Sequence, residues 1–181
     1  MCALDYAALR KPPPGFPRRS PVQSLWTGGP LRSGGRFTPA GEFEALYVAA
    51  DPITAMAEAG EILVMSDGSI VTLPVGNKVH YRVEGVLTQV LDLTDLGIQA
   101  RIGTTRQELT GAWLPMQTTG EVVPAQLRGR LAYESGRFTG LMSISSKNQA
   151  GTIIMAFRDR LTAPNYLEVQ DPTGYIAQRL P

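Results

Sequence analysis

A single cysteine, Cys2, and a single histidine, His80, among 181 residues remove several chemistries at the outset. One thiol cannot close an internal disulfide, so a disulfide scaffold is excluded. One cysteine and one histidine also cannot assemble a zinc cluster, a His-His metal site or a cysteine-histidine hydrolase, which leaves acid-base work to carboxylates, tyrosine and water. Lysine is scarce too: Lys11, Lys78 and Lys147 are the only ones among 17 basic residues. The remaining arginines carry the rigid fork that grips carboxylate or phosphate. Sixteen acidic residues bring the net charge to +1, so no general attraction to nucleic acid or to an anionic membrane is built into the total. No apolar run approaches the roughly 20 residues that span a bilayer. The opening MCALDYAALRK has no basic flank ahead of a hydrophobic stretch, which predicts a cytoplasmic protein without a conventional signal peptide. What is present, 43% apolar residues in one chain of this length, suits a single core.

Five of the 14 prolines fall in residues 1–23, four of them in KPPPGFP. Proline fixes the backbone torsion and removes a donor, so this stretch is expected to be an extended arm ahead of a domain over residues 24–181. In the domain, Leu46 to Ala50 reads as a strand, and DPITAMAEAG as a short helix capped by Asp51, with Pro52 in its first turn and Gly60 near its end. Ile53, Ala55, Met56 and Ala59 define the expected apolar side of that helix, with Glu58 one turn past Thr54 on the polar side. Asp67-Gly68 between Ile62–Met65 and Ile70–Leu73 predicts a hairpin. KVHYRVEGVLTQVLDL supports one or two strands, and Thr94 or Asp95 caps a helical turn ending near Gly97. Thr104 or Thr105 caps a turn containing RQEL. PAQLRGRLAYESG reads as a helix despite Gly129, while FTGLMSIS, GTIIMAF and NYLEVQ read as strands. The fold class expected is mixed α/β, α+β-like, with several antiparallel connections and no long βα repeat.

Glycines 28, 29, 34 and 35 announce turns, but GGRFTPAG lacks both the glycine-lysine-Ser/Thr of a P-loop and the spacing of a dinucleotide fingerprint. Arg36, Tyr47 and Glu58 follow one another at intervals of eleven residues, on a loop, a strand and a helix. By themselves these residues read equally as a surface ion pair, a sheet residue and a solvated helix side. His80 reads as structural, Trp26 and Trp113 as core or pocket-lining anchors, and Arg128 and Arg130 as solvated residues or contacts for pyrophosphate or a protein.

The order of a GGRF loop, an LYVA strand, a DPITAMAE helix and a later serine in FTGLMSISSKN resembles the RES domain family, named for Arg, Glu and Ser, over residues 24–170. Characterised members of that family are toxins that degrade NAD. The resemblance implies a single domain similar in fold to ADP-ribosyltransferases, with Arg36, Tyr47, Glu58 and Ser145 as functional arginine, tyrosine, glutamate and serine. It implies NAD as substrate with no cofactor required. It further implies inorganic phosphate, water or a protein as the acceptor and a helix-turn-helix antitoxin as the partner. Ser145 is favoured over Ser143 and Ser146 by its six-residue path from Gly140, though strand alternation puts Ser143 on the same face. Leu25-Trp26-Thr27 stands where the family has an aromatic residue and an arginine, making Arg32 or the N-terminal arm the candidate replacement. Thr38 stands where asparagine is frequent, and SISSKN replaces a proline-serine form. A weakened NAD-binding or regulatory domain and a protein ADP-ribosyltransferase are therefore the alternatives, and homo-oligomerisation is left open.

Overall fold

The structure, a computed structural model, describes residues 7–9, 25–74, 79–170 and 178–181. Its central sheet joins β2 (Ala45–Ala49), β8 (Thr152–Phe157), β7 (Gly140–Ile144) and β6 (Val90–Asp92) in that order. The β2–β8 and β8–β7 pairings are antiparallel and β7–β6 is parallel. A second, antiparallel sheet runs β1 (Ala7–Leu9), β5 (Val79–Val86), β9 (Tyr166–Gln170) and β10 (Arg179–Leu180). β3 (Ile62–Val64) and β4 (Ile70–Thr72) form the hairpin expected around Asp67-Gly68.

Period-two alternation divides the side chains of the central sheet between two cores. Leu46 and Val48 of β2, with Ile154 and Ala156 of β8, pack against Val83, Leu167 and Val169 of the second sheet. Their neighbours Ala45, Ile153, Met155 and Phe157 turn the other way, onto a layer of short helices. That layer comprises α3 (Leu96–Arg101), α4 (Arg106–Thr110), α5 (Trp113–Thr119) and α6 (Pro124–Glu134). The mixed α/β class is thus observed, as sheet on sheet on helices. No helix among the described residues is long and apolar enough to cross a membrane.

Local signals place several ends correctly. Asp51 caps α2 (Pro52–Glu58) by accepting from Thr54 N at 2.8 Å, and Thr105 with Glu108 closes a capping box on α4. Other expectations are corrected. The helix expected to end near Gly97 runs through it, because Asp95 accepts from Ile98 N at 3.0 Å and the buried Gln99 side chain donates to Leu93 O at 2.7 Å. In α2 it is Thr54, Ala55 and Ala57 that are buried, while Ile53 is exposed, since the helix rests its polar side on the β7–β8 loop. Of the four glycines expected to make turns, Gly34 and Gly35 do, whereas Gly28 and Gly29 begin a helix, α1 (Gly28–Ser33), whose first turn is covered by the Trp26 ring; a Cβ on Gly28 would lie 3.0 Å from Trp26 Nε1. The proline-rich stretch 11–23 lies outside the described residues.

Gly129 explains its own place in α6. A Cβ there would overlap the Phe37 carbonyl oxygen, so the helix packs directly on the backbone that precedes β2. Glycine-to-alanine changes inside helices ordinarily stabilise by up to about 1 kcal/mol. Here the sign should reverse: Gly129→Ala is expected to cost about 1–3 kcal/mol by overpacking, read as a lowered denaturant midpoint with an unchanged slope. An unchanged or raised midpoint would show that the contact is not tight.

Candidate functional site

The candidate site is built from segments that converge on the loop joining β7 to β8. The first is the turn before β2, where Gly35 N donates to Thr38 O at 2.7 Å. This tight turn sends Phe37 into the core, where it is wholly buried, and leaves Arg36 half-buried at the cleft. Tyr47 of β2 supports the turn from below. Its hydroxyl accepts from Phe37 N at 3.0 Å and meets Thr38 Oγ1 at 2.8 Å, and Thr38 Oγ1 reaches Met155 Sδ at 3.3 Å. A Cβ on Gly35 would sit 2.9 Å from the phenol oxygen, so glycine is what lets the turn close over it.

Arg36 is held by backbone and hydroxyl acceptors. Its Nη1 donates to Gly111 O at 2.7 Å and to Leu109 O at 3.4 Å, taking up carbonyls that the end of α4 leaves without helical partners. Its Nη2 donates to Ser146 Oγ at 2.5 Å. Burial lowers the guanidinium pKa from its usual value, and the charge of nearby Glu58 acts in the opposite direction. Arginine stays cationic under such displacement.

Glu58, in the last turn of α2, accepts from Ser145 Oγ at 2.6 Å. Ser145 is fully buried, and its oxygen accepts in turn from the backbone N–H groups of Lys147 and Asn148, each at 3.0 Å. Two donors on the hydroxyl oxygen polarise its O–H toward the carboxylate, giving a short charge-assisted bond. Beneath this pair Asn148 Nδ2 donates to Thr54 Oγ1 at 2.8 Å, and Thr54 Oγ1 donates to Asp51 Oδ2 at 2.5 Å. Gly151 closes the loop against Thr54, leaving no room for a Cβ.

The structure therefore brings Arg36, Tyr47, Glu58 and Ser145 into one neighbourhood. Arg32, on α1, is exposed, with its guanidinium carbon 5.9 Å from the Trp26 ring centroid. His80 Nε2 lies 3.0 Å from Glu61 at the side of the second sheet. Arg130 pairs with Glu42, and Arg128 Nη2 donates to Gly103 O at 2.6 Å. Three residues with a part in the site were not marked as functional by the sequence, Thr54, Asn148 and Gln126, and a fourth, Ser146, was weighed only as an alternative to Ser145. Gln126 is buried on α6, where its Nε2 donates to Gly35 O at 2.9 Å and to Gln117 Oε1 at 2.7 Å, pinning the Arg36 turn to the helical layer. Ser146 had a signal, its place beside Ser145; a glutamine in a helix carries none.

The arrangement offers a cation and a carboxylate held by two consecutive hydroxyls of one short loop. In fold it joins a class known from a crystal structure of the M. tuberculosis MbcT-MbcA toxin-antitoxin complex, one chain of which matches with a TM-score of 0.62 and 19% identity, covering 94% of this chain and 82% of that one. The RES domain model matches residues 14–177, and the chain belongs to the RES domain family. No curated protein matches the sequence.

Tyr47 yields a pH test. Burial pushes its phenol up to about 12, with the bonds to Thr38 and Phe37 and the charge of Arg36 acting the other way. A pKa raised on folding means that the native state keeps a proton the unfolded chain releases, so the contribution is intact below about pH 10 and is lost as pH climbs toward 12. Burial raises Tyr81 as well. Unfolding free energy should therefore fall over this window, and Tyr47→Phe should flatten part of the fall. An identical alkaline profile for Tyr47→Phe would contradict the enclosed, neutral phenol.

Proposed function

We propose that this protein is the toxin of a toxin-antitoxin pair and acts by cleaving the nicotinamide-ribose bond of NAD. The observation that carries the reading is the junction at Ser145-Ser146, where one hydroxyl holds Glu58 and the next holds Arg36. NAD presents an anionic pyrophosphate to an arginine fork and a ribose to a carboxylate, and the two are neighbours in the molecule as they are in the cleft. Family membership supports the choice of substrate, and the fold of the matched toxin-antitoxin chain supports an antitoxin as partner.

In this reading the C–N bond between ribose and nicotinamide breaks and its electron pair stays on the ring nitrogen, neutralising the pyridinium. The step calls for no acid, because the leaving group is already cationic in NAD. Positive charge develops on the ribose as an oxocarbenium ion, and Glu58, oriented by Ser145, stabilises it more than the ground state. Arg36 holds the pyrophosphate. Tyr47 sets the height of the Arg36 turn and presents its ring to the nicotinamide side. Water adds to the ribose to give ADP-ribose and a proton, or inorganic phosphate adds to give ADP-ribose phosphate. NAD enters as a substrate of the cytoplasm, and no further cofactor takes part.

Incubating the protein with NAD in phosphate and in phosphate-free buffer, then separating nicotinamide, ADP-ribose and ADP-ribose phosphate, tests the reading. Nicotinamide release is expected, with Glu58→Gln lowering kcat by about 10²–10³ and shifting the melting temperature little. Absence of nicotinamide in both buffers from folded wild-type protein would overturn the proposal. Transfer of label to protein would instead point to ADP-ribosyltransfer.

A further inference from the structure

A hollow of about 410 Å³ opens between α4, α5 and the start of α6, within the ~300–1,000 Å³ range of small-molecule sites. Its apolar lining comes from Trp113, Met116 and Val123, and its polar lining includes Gln107 and Glu108. Gly111 also lines it, and the Gly111 carbonyl is the 2.7 Å acceptor for Arg36 Nη1. The chain thus sets four features in a connected order: the Glu58 carboxylate, the serine pair, the Arg36 cation and an aromatic hollow.

We propose that the hollow is a subsite for the adenosine end of a dinucleotide, with the base stacked on Trp113. The proposal rests on the function given above and extends it to residues that function does not use. A dinucleotide carries a reactive ribose, an anionic pyrophosphate and a second nucleoside in sequence, which matches carboxylate, cation and aromatic hollow taken in order. Trp113 is half-buried, so one part of the indole is anchored in the helical core while another is open to the hollow. An indole in such a position can stack any base and hold it without directional bonding. Glu108 supplies orientation. Its Oε2 accepts from Thr104 Oγ1 at 3.0 Å and Thr105 N at 2.9 Å, so the carboxylate is fixed in place at the rim. A fixed carboxylate receives ribose hydroxyls and repels phosphate, which turns the uncharged nucleoside toward the hollow and the pyrophosphate toward Arg36.

The test compares NAD with nicotinamide mononucleotide, which carries the same scissile bond but no adenylate. Trp113→Ala should raise KM for NAD about tenfold with kcat nearly unchanged, leave kcat/KM for the mononucleotide unaltered, and be largely rescued by Trp113→Phe. Equal losses on both substrates, or none on NAD, would overturn the subsite. A second readout needs no turnover. In a Trp26→Phe background Trp113 is the sole tryptophan, and its fluorescence should respond saturably to 5′-AMP and not to ribose 5-phosphate. A 5′-AMP response without nicotinamide release from NAD would retain the adenosine subsite while removing the proposed reaction. No 5′-AMP response, or an equal response to ribose 5-phosphate, would remove the subsite whether or not NAD is cleaved.

Discussion

Ser145 donates to Glu58 and Ser146 accepts from Arg36, so two consecutive hydroxyls tie together a helix and a turn. Opposite charges that could approach each other freely would collapse into a surface ion pair worth little. Held instead by hydroxyls and backbone groups, they keep a fixed separation and remain available to a ligand that carries both signs. The rest of the cleft serves this arrangement. Asn148, Thr54 and Asp51 brace the loop from the Glu58 side, while Arg106 Nη2 ties α4 to the same loop through Gln149 O at 2.9 Å. The loop stays narrow because Gly151 admits the Thr54 hydroxyl where any side chain would displace it.

The sheet-and-helix layering carries that constraint outward. Tyr47 and Met155 stand opposite each other on β2 and β8, and both reach the turn through Thr38. A shift of register by one residue would send Tyr47 into the core between the sheets and leave the Arg36 turn without its support. The helical layer fixes the other side of the turn through Gln126, and Gly129 lets α6 come close enough for that bond to form. Fold and cleft are therefore one set of contacts, and Phe37 and Arg36, neighbours on one turn, belong to each.

Features governed by near neighbours were legible in the chain before folding. Asp51-Pro52 starts α2, Asp67-Gly68 turns the hairpin, and the unbroken apolar run in GTIIMAF marks a strand buried on both faces, because capping, turn torsions and short apolar runs are local. Arg36, Tyr47 and Glu58 could be singled out by residue type, and their meeting follows from the adjacency of β2 and α2. What local signals missed depends on contacts distant in the chain. α1 forms on two glycines because Trp26 covers them, and α5, without a charged residue, is ordered by Trp113 and Met116 packing on the core. Gln126 is buried because a turn far away in the sequence offers it a carbonyl. The choice among Ser143, Ser145 and Ser146 also needed coordinates. Ser145 and Ser146 divide the two charges between them, while Ser143 Oγ is buried without a hydrogen-bond partner.

The central claim is that the two serines hold Arg36 and Glu58 as one preorganised unit, and a double-mutant cycle measures it most directly. Nicotinamide release from NAD would be compared for Ser145→Ala, Ser146→Ala and the double variant. If the unit exists, either single change already loosens it, and the double variant loses markedly less kcat/KM than the product of the single losses. Losses that simply multiply would show the two hydroxyls acting independently and would contradict the account.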